Sequence, residues 1–260
     1  MIDFLDMVPG VAPGVFVGLT VLSFFTAAFG VVAGLGGGVL LLGVLAAVFP
    51  PAVLIPIHGA VLLGTNCGRV VVLWRHRQKQ LLPIFIAGAV VGAIMGGQIV
   101  VALPTTMLQI VLGFFILYAC WAPKLAARAY SHTKFFLMGL IGTLLGMFIG
   151  STGTLIAPYV AAACPDRRQF VATHSVFMTL IHGLKLVVFG ALGFSLTTYL
   201  PLIAAMIATA FLGTFFGRGV LNRLPERVFR RIFQVVLTLL ALRLLYTGVS
   251  NSKIFTISGA

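Results

Sequence analysis

Acidic side chains are almost missing from this 260-residue chain: Asp3, Asp6, Asp166 and Glu226 stand against 17 lysines and arginines. None of the four lies inside a long apolar run. The apolar segments therefore hold no carboxylate to bind a cation, neutralise a buried base or carry a proton. Cysteine is scarce too. Cys67, Cys120 and Cys164 are isolated in apolar sequence, with neither metal-site spacing nor an even pairing, and read as small packing residues. No metal site, cofactor or catalytic residue is expected. Charged residues of all kinds make up 8% of the chain against 60% hydrophobic residues, with a mean hydropathy of +1.16. A soluble domain carries roughly a quarter charged residues, so that class is excluded. The whole of 1–260 reads as a single membrane domain. The amino-terminal end opens on Asp3 and Asp6 instead of a basic stretch, so the first apolar run is expected to stay as a helix.

The net charge of +13 does not indicate nucleic acid. Thirteen of the 17 basic residues sit in short segments between apolar runs: Arg75, Arg77 and Lys79; Lys124, Arg128 and Lys134; Arg167 and Arg168; and Arg218, Arg223, Arg227, Arg230 and Arg231. Short basic loops mark the cytoplasmic side of a membrane protein, where they meet anionic lipid. Anionic lipid is thus an expected partner and nucleic acid is not. Assembly as a homodimer is left open.

What the chain does contain is a repeat. Gly30 to Trp74 lies over Gly146 to Gly190 without a gap, 116 residues apart. Gly30, Gly34 and Gly37 fall on Gly146, Gly150 and Gly153; His58 falls on His174, Asn66 on His182 and Arg69 on Lys185. After a small insertion the offset becomes 121, pairing Gly92 and Gly96 with Gly213 and Gly217, and Leu103-Pro104 with Leu224-Pro225. The copies, about 14–122 and 135–249, carry their basic loops at non-equivalent positions, which is the signature of an inverted-topology transporter.

Apolar runs fall at about 14–33, 38–49, 53–74, 81–101, 105–122, 135–150, 152–164, 169–189, 199–217 and 230–249. With the amino terminus outside and a crossing at every run, every basic loop falls inside. The uncharged connections Pro50-Pro51, Leu103 to Thr106 and Gly193 to Tyr199 fall outside. Five crossings per half invert the second half. The expected fold is an all-α polytopic membrane protein of two inverted repeats, each of about five helical segments. Segments 38–49 and 152–164 are too short for a full crossing and follow glycine clusters, Gly34 to Gly38 and Gly150 to Thr154. Short, glycine-broken segments at matching places mark a binding site near the midplane. They read as short spanning segments rather than re-entrant loops. Glycines four apart, as in Gly88/Gly92/Gly96 and Gly213/Gly217, suit close helix packing in lipid.

The ionisable residues inside the apolar runs form two matching stripes. His58, Asn66 and Arg69 lie within about an 80° arc of one helix at 100° per residue, and His174, His182 and Lys185 repeat that spacing, with Thr173 and Ser175 beside the first histidine. Arg69 and Lys185 could each snorkel to an interface, but a matched pair beside matched histidines favours a site. Buried cations without carboxylates call for a small anion, and glycine breaks at Gly36, Gly37, Gly38 and at Ser151, Thr152, Gly153 would supply backbone N–H groups to it. Proton coupling would fall to histidine.

The paired glycine clusters, Pro158 after the second of them, and Ala172-Thr173-His174-Ser175 resemble the sulfite exporter TauE/SafE family of inner-membrane permeases, from about Phe24 to Gly248. The resemblance implies transport of sulfite, an organosulfonate or a related sulfur-containing anion across the cytoplasmic membrane, generally outward. The chain departs from the pattern at Leu42, which stands where the second copy has Pro158, and in the diluted cluster Gly-Ser-Thr-Gly-Thr. An anion channel or an uptake permease would use the same fold. A remote alternative is an intramembrane serine hydrolase built on Ser151 with His174 or His182; Leu35 at the matching place leaves that serine outside the repeat.

Overall fold

A computed structural model describes residues 8–32, 37–121, 131–164, 166–220 and 226–257. Ten α-helices run through them: α1 (Pro13–Val32), α2 (Gly37–Val48), α3 (Pro51–Leu73), α4 (Leu82–Ala102), α5 (Thr105–Trp121), α6 (His132–Ile149), α7 (Gly153–Ala163), α8 (Arg167–Ala191), α9 (Leu200–Val220) and α10 (Glu226–Ile257). There is no strand among the described residues. Each expected apolar run appears as a helix in its expected order. α10 continues past its apolar stretch, because no proline or glycine follows Gly248 before Ile257 to stop it. Among the described residues seven helices are long and apolar enough to cross a membrane, and α2, α5 and α7 are shorter. The protein is an all-α, multi-pass membrane protein.

Local chemistry sets the helix ends. Pro51 opens α3 after Pro50 in extended backbone, a position where the missing N–H costs nothing. Asp166 caps α8 by accepting from the N–H groups of Arg168 and Gln169. Gly150 ends α6 at φ +74, a conformation that other residues rarely adopt.

The most extensive packing joins α4 to α6 and α1 to α9, with α5 against α10 and α3 against α8. Glycine allows the two closest crossings. A Cβ on Gly92 would overlap the Leu140 carbonyl oxygen, and one on Gly213 would overlap the Phe24 carbonyl oxygen. Gly213 is the counterpart of Gly92 in the repeat, and Leu140 that of Phe24. The two crossings therefore answer each other across the halves, each helix of one copy lying on the partner the other copy predicts.

Contacts between connections sort the two ends of the bundle. Gln78 donates its side-chain N–H to the Gln169 side-chain oxygen at 2.9 Å and its backbone N–H to Thr173 Oγ1 at 3.0 Å. This joins the Arg75–Lys79 connection to the Arg167-Arg168 end of α8. At the other end the uncharged connections meet, with Phe49 edge-on to Tyr199 at 6.0 Å between ring centroids. Lys124, Arg128 and Arg223 lie outside the described residues. Gln80 is exposed in the basic connection and Ser195 in the uncharged one. With Cys67, Cys120 and Cys164 replaced, Gln80→Cys should resist a membrane-impermeant thiol reagent added outside intact cells, and Ser195→Cys should react. Reaction at Gln80→Cys would overturn the assignment of sides. Gln78 would be a poor reporter because its hydrogen bonds half-bury it.

The short helices α2 and α7 rise only about 18 and 17 Å against a hydrocarbon core of roughly 30 Å. α2 starts where Gly37 packs on α1 at Thr26 and Gly30, and ends at Phe49 beside Tyr199. α7 starts beside His174 and ends at Cys164, whose thiol approaches Thr173 Oγ1 at 3.8 Å near the basic end. Each runs from inside the bundle to one of its ends, and the two run to opposite ends.

Candidate functional site

α3 and α8 pack side by side and antiparallel. The chain just past the end of α3 meets the start of α8, and the rings of His58 and His182 lie 6.2 Å apart further along. The polar stripes of the two helices thereby face each other, as the matched spacing requires.

Two broken backbones close on this stripe. Gly37 sits so tightly on α1 that a Cβ would overlap the Thr26 carbonyl oxygen, and a Cβ on Gly38 would come within 3.1 Å of Ser151 Oγ. The start of α2 thus meets the start of α7 across the middle of the bundle. Each start is tied down by the first histidine of its own half's stripe. His58 Nε2 donates to the Gly38 carbonyl at 2.8 Å and His174 Nε2 to the Gly153 carbonyl at 3.1 Å. A carbonyl only accepts, so both rings carry hydrogen on Nε2.

Between these parts lies a cavity of about 110 Å³, room for several waters or one small oxyanion. Of the expected site residues it gathers Gly37, Gly38, Asn66, Arg69, Ser151, Gly153, His174 and His182. The rest stand behind it. His58 is fully buried, Thr173 receives the Gln78 N–H, and Thr152 and Ser175 are buried. Lys185 is fully buried and donates to the Gly150 carbonyl at 2.7 Å, with its chain against Gly59. Gly36 lies outside the described residues.

Arg69 and Lys185 are thus not brought together. Arg69 lies ten residues beyond Gly59 on α3, roughly 15 Å further along the helix axis at 1.5 Å per residue. Arg69 lines the cavity, and nothing among the described residues accepts a hydrogen bond from its guanidinium. No lining residue is acidic. The first turns of α2 and α7 both border the space, and N–H groups in a first helical turn have no partner within their helix. The positive ends of both helix dipoles thus border the same cavity. One unpaired cation and two helix starts favour an anion.

The sulfite exporter TauE/SafE family model matches residues 19–244. The chain belongs to the sulfite exporter TauE/SafE family. The match runs from the first half of α1 to the middle of α10 and includes every cavity-lining residue. Members of this family are membrane transporters. Searches of curated proteins and of solved structures give no match. Ser151 lies beside Gly38 at the meeting of the two breaks, with no hydrogen bond to either histidine among the described residues. His174 Nε2 is already committed to Gly153.

Sequence reasoning missed several lining residues: Ser23 and Thr26 on α1, Thr65 on α3, and Thr154 and Met178 from the second half. For Thr154 the signal was present, since it aligns with Gly38 in the repeat. The others carried none. Ser23, Thr26 and Thr65 all donate to backbone carbonyls, and hydroxyls satisfied in that way occur throughout membrane helices.

Proposed function

We propose that the protein is a secondary transporter that moves a small sulfur-containing anion, sulfite or an organosulfonate, outward across the cytoplasmic membrane. The observation that carries this reading is the cavity where both broken helices begin: Arg69 is its unpaired cation and it has no acidic neighbour. The exchanged glycine crossings and the antiparallel stripes support two inverted repeats, with the site at their meeting place. By the charge of the connections the basic end is cytoplasmic. Arg69 on α3 and His174 on α8 carry the cavity toward that end, so this state would receive anion from inside. The basic connections would also rest on anionic lipid.

Purified protein in liposomes loaded with unlabelled sulfite should take up external radiolabelled sulfite by counterflow. A channel equilibrates label without the transient accumulation that counterflow produces, so absence of the overshoot would rule out exchange.

The histidines would supply coupling. Nε2 of His58 and of His174 is bound to a carbonyl, so a proton arriving at either ring goes to Nδ1 and adds positive charge beside the site. Affinity for a sulfonate, which does not titrate near neutral pH, should rise as pH falls. The double variant His58→Gln/His174→Gln keeps hydrogen-bond donors and loses titration. Its affinity should depend less on pH, with only His182 left to titrate in the lining, and an unchanged pH profile would assign coupling elsewhere.

A further inference from the structure

We infer that Lys185, His58, His182 and Thr152 form a second anion station, deeper than the Arg69 cavity and closed in this structure. The inference rests on the anion-transporter reading and divides its site in two.

The cluster carries more polar capacity than the fold uses. His58, His182, Thr152 and Lys185 are each at most 1% exposed. His58 Nδ1, His182 Nδ1 and Thr152 Oγ1 have no hydrogen-bond partner. A buried polar atom left unpaired is costly and calls for a specific reason. Lys185 and His58 meet at the Gly150 break, and His182 and Thr152 adjoin them. Lys185 Nζ holds the Gly150 carbonyl at 2.7 Å, and a Cβ on Gly150 would lie 3.4 Å from His58 Nδ1. The His58 and His182 rings are 6.2 Å apart, and Thr152 is two residues from Gly150. An ammonium, a hydroxyl and two imidazole nitrogens around a broken backbone can bind a tetrahedral or pyramidal oxyanion, and no carboxylate of the described residues is there to displace it.

His182 links the two stations, since it lines the open cavity and faces His58 behind it. In the repeat Lys185 is the counterpart of Arg69 and His182 that of Asn66. The second station is thus the copy of the first, turned toward the uncharged end. Toward that end it is packed shut: a Cβ on Gly150 would lie 2.5 Å from the Leu42 side chain, and one on Gly97 2.7 Å from that of Val188. An arriving anion would replace the Gly150 carbonyl as the partner of Lys185, freeing the end of α6 to move.

Equilibrium dialysis of the purified full-length protein with radiolabelled sulfite tests this by counting. About two sulfites per protein are expected at saturation. Arg69→Met and Lys185→Gln should each leave about one, and Lys185→Arg, which keeps charge and donors, about two. One sulfite on the unaltered protein overturns the second station, whatever the folding of the variants. Two on Lys185→Gln would also overturn it, by removing Lys185 from the binding. No sulfite on the unaltered protein would instead sink the underlying reading of sulfite as substrate. A second measurement needs no change at Lys185. Thr152→Cys, in a background without the three native cysteines, should react with an anionic thiol reagent added outside. Failure to react where Ser195→Cys does would show that the station never opens outward.

Discussion

Replacing Arg69 by Met is expected to weaken sulfite binding at the open cavity by roughly 10- to 100-fold, with little change in thermal unfolding. Hydrogen bonds to charged groups contribute about 1.5–3 kcal/mol, and 1.4 kcal/mol is tenfold in affinity. Arg69 lines the cavity and makes no hydrogen bond among the described residues. Met fills much of the same volume and orphans nothing. Lys185→Met differs in kind: it removes the partner of a buried carbonyl, and leaving such a group unsatisfied costs about 1–3 kcal/mol. That variant should lose stability as well as binding. Direct binding measurements with a melting curve on each variant separate the two cases. If Arg69→Met binds sulfite normally, the cavity is not the anion site.

The second large effect concerns the frame. Gly92→Ala and Gly213→Ala should each lower the melting temperature by roughly 3–10 °C, since overpacking typically costs 1–3 kcal/mol and the chain is large. In both places the new methyl group meets a backbone carbonyl, which cannot rotate aside as a side chain can. Gly14→Ala and Gly18→Ala are the controls, with nothing within 4 Å of the added atom. There the better helix propensity of alanine should leave stability equal or slightly higher. Equal melting temperatures for all four would mean that α1 and α4 do not make the close crossings described.

The order of the helices was legible because each apolar run in a membrane chain must satisfy its own backbone, and only a helix does so within one segment. The breaks were legible because glycines as dense as Gly36, Gly37 and Gly38 serve no helix face. The facing of the stripes followed from the repeat: His58, Asn66 and Arg69 recur at the same spacing as His174, His182 and Lys185, so both copies bring the same face to the same partner.

The division of labour between those residues could not be read in this way. Equivalence in a repeat sets Arg69 and Lys185 in matching surroundings, and a single shared site was the natural expectation. The fold places them at different depths, one open to a cavity and one bound to the Gly150 carbonyl. A repeat states which environments correspond, and it is silent on which copy is open in a given state. Likewise the use of Ser23, Thr26 and Thr65 in the lining depends on how α1 and α3 each lean on α9, a matter of contacts far apart in the chain. The sequence alone determined a helical membrane protein of this family, its basic end and its break points, because composition, loop charge and glycine density act locally. The tertiary structure alone decided which polar residues share a cavity and which are sealed behind it, because that depends on close approaches between distant backbones, at Gly37 on Thr26 and Gly38 on Ser151.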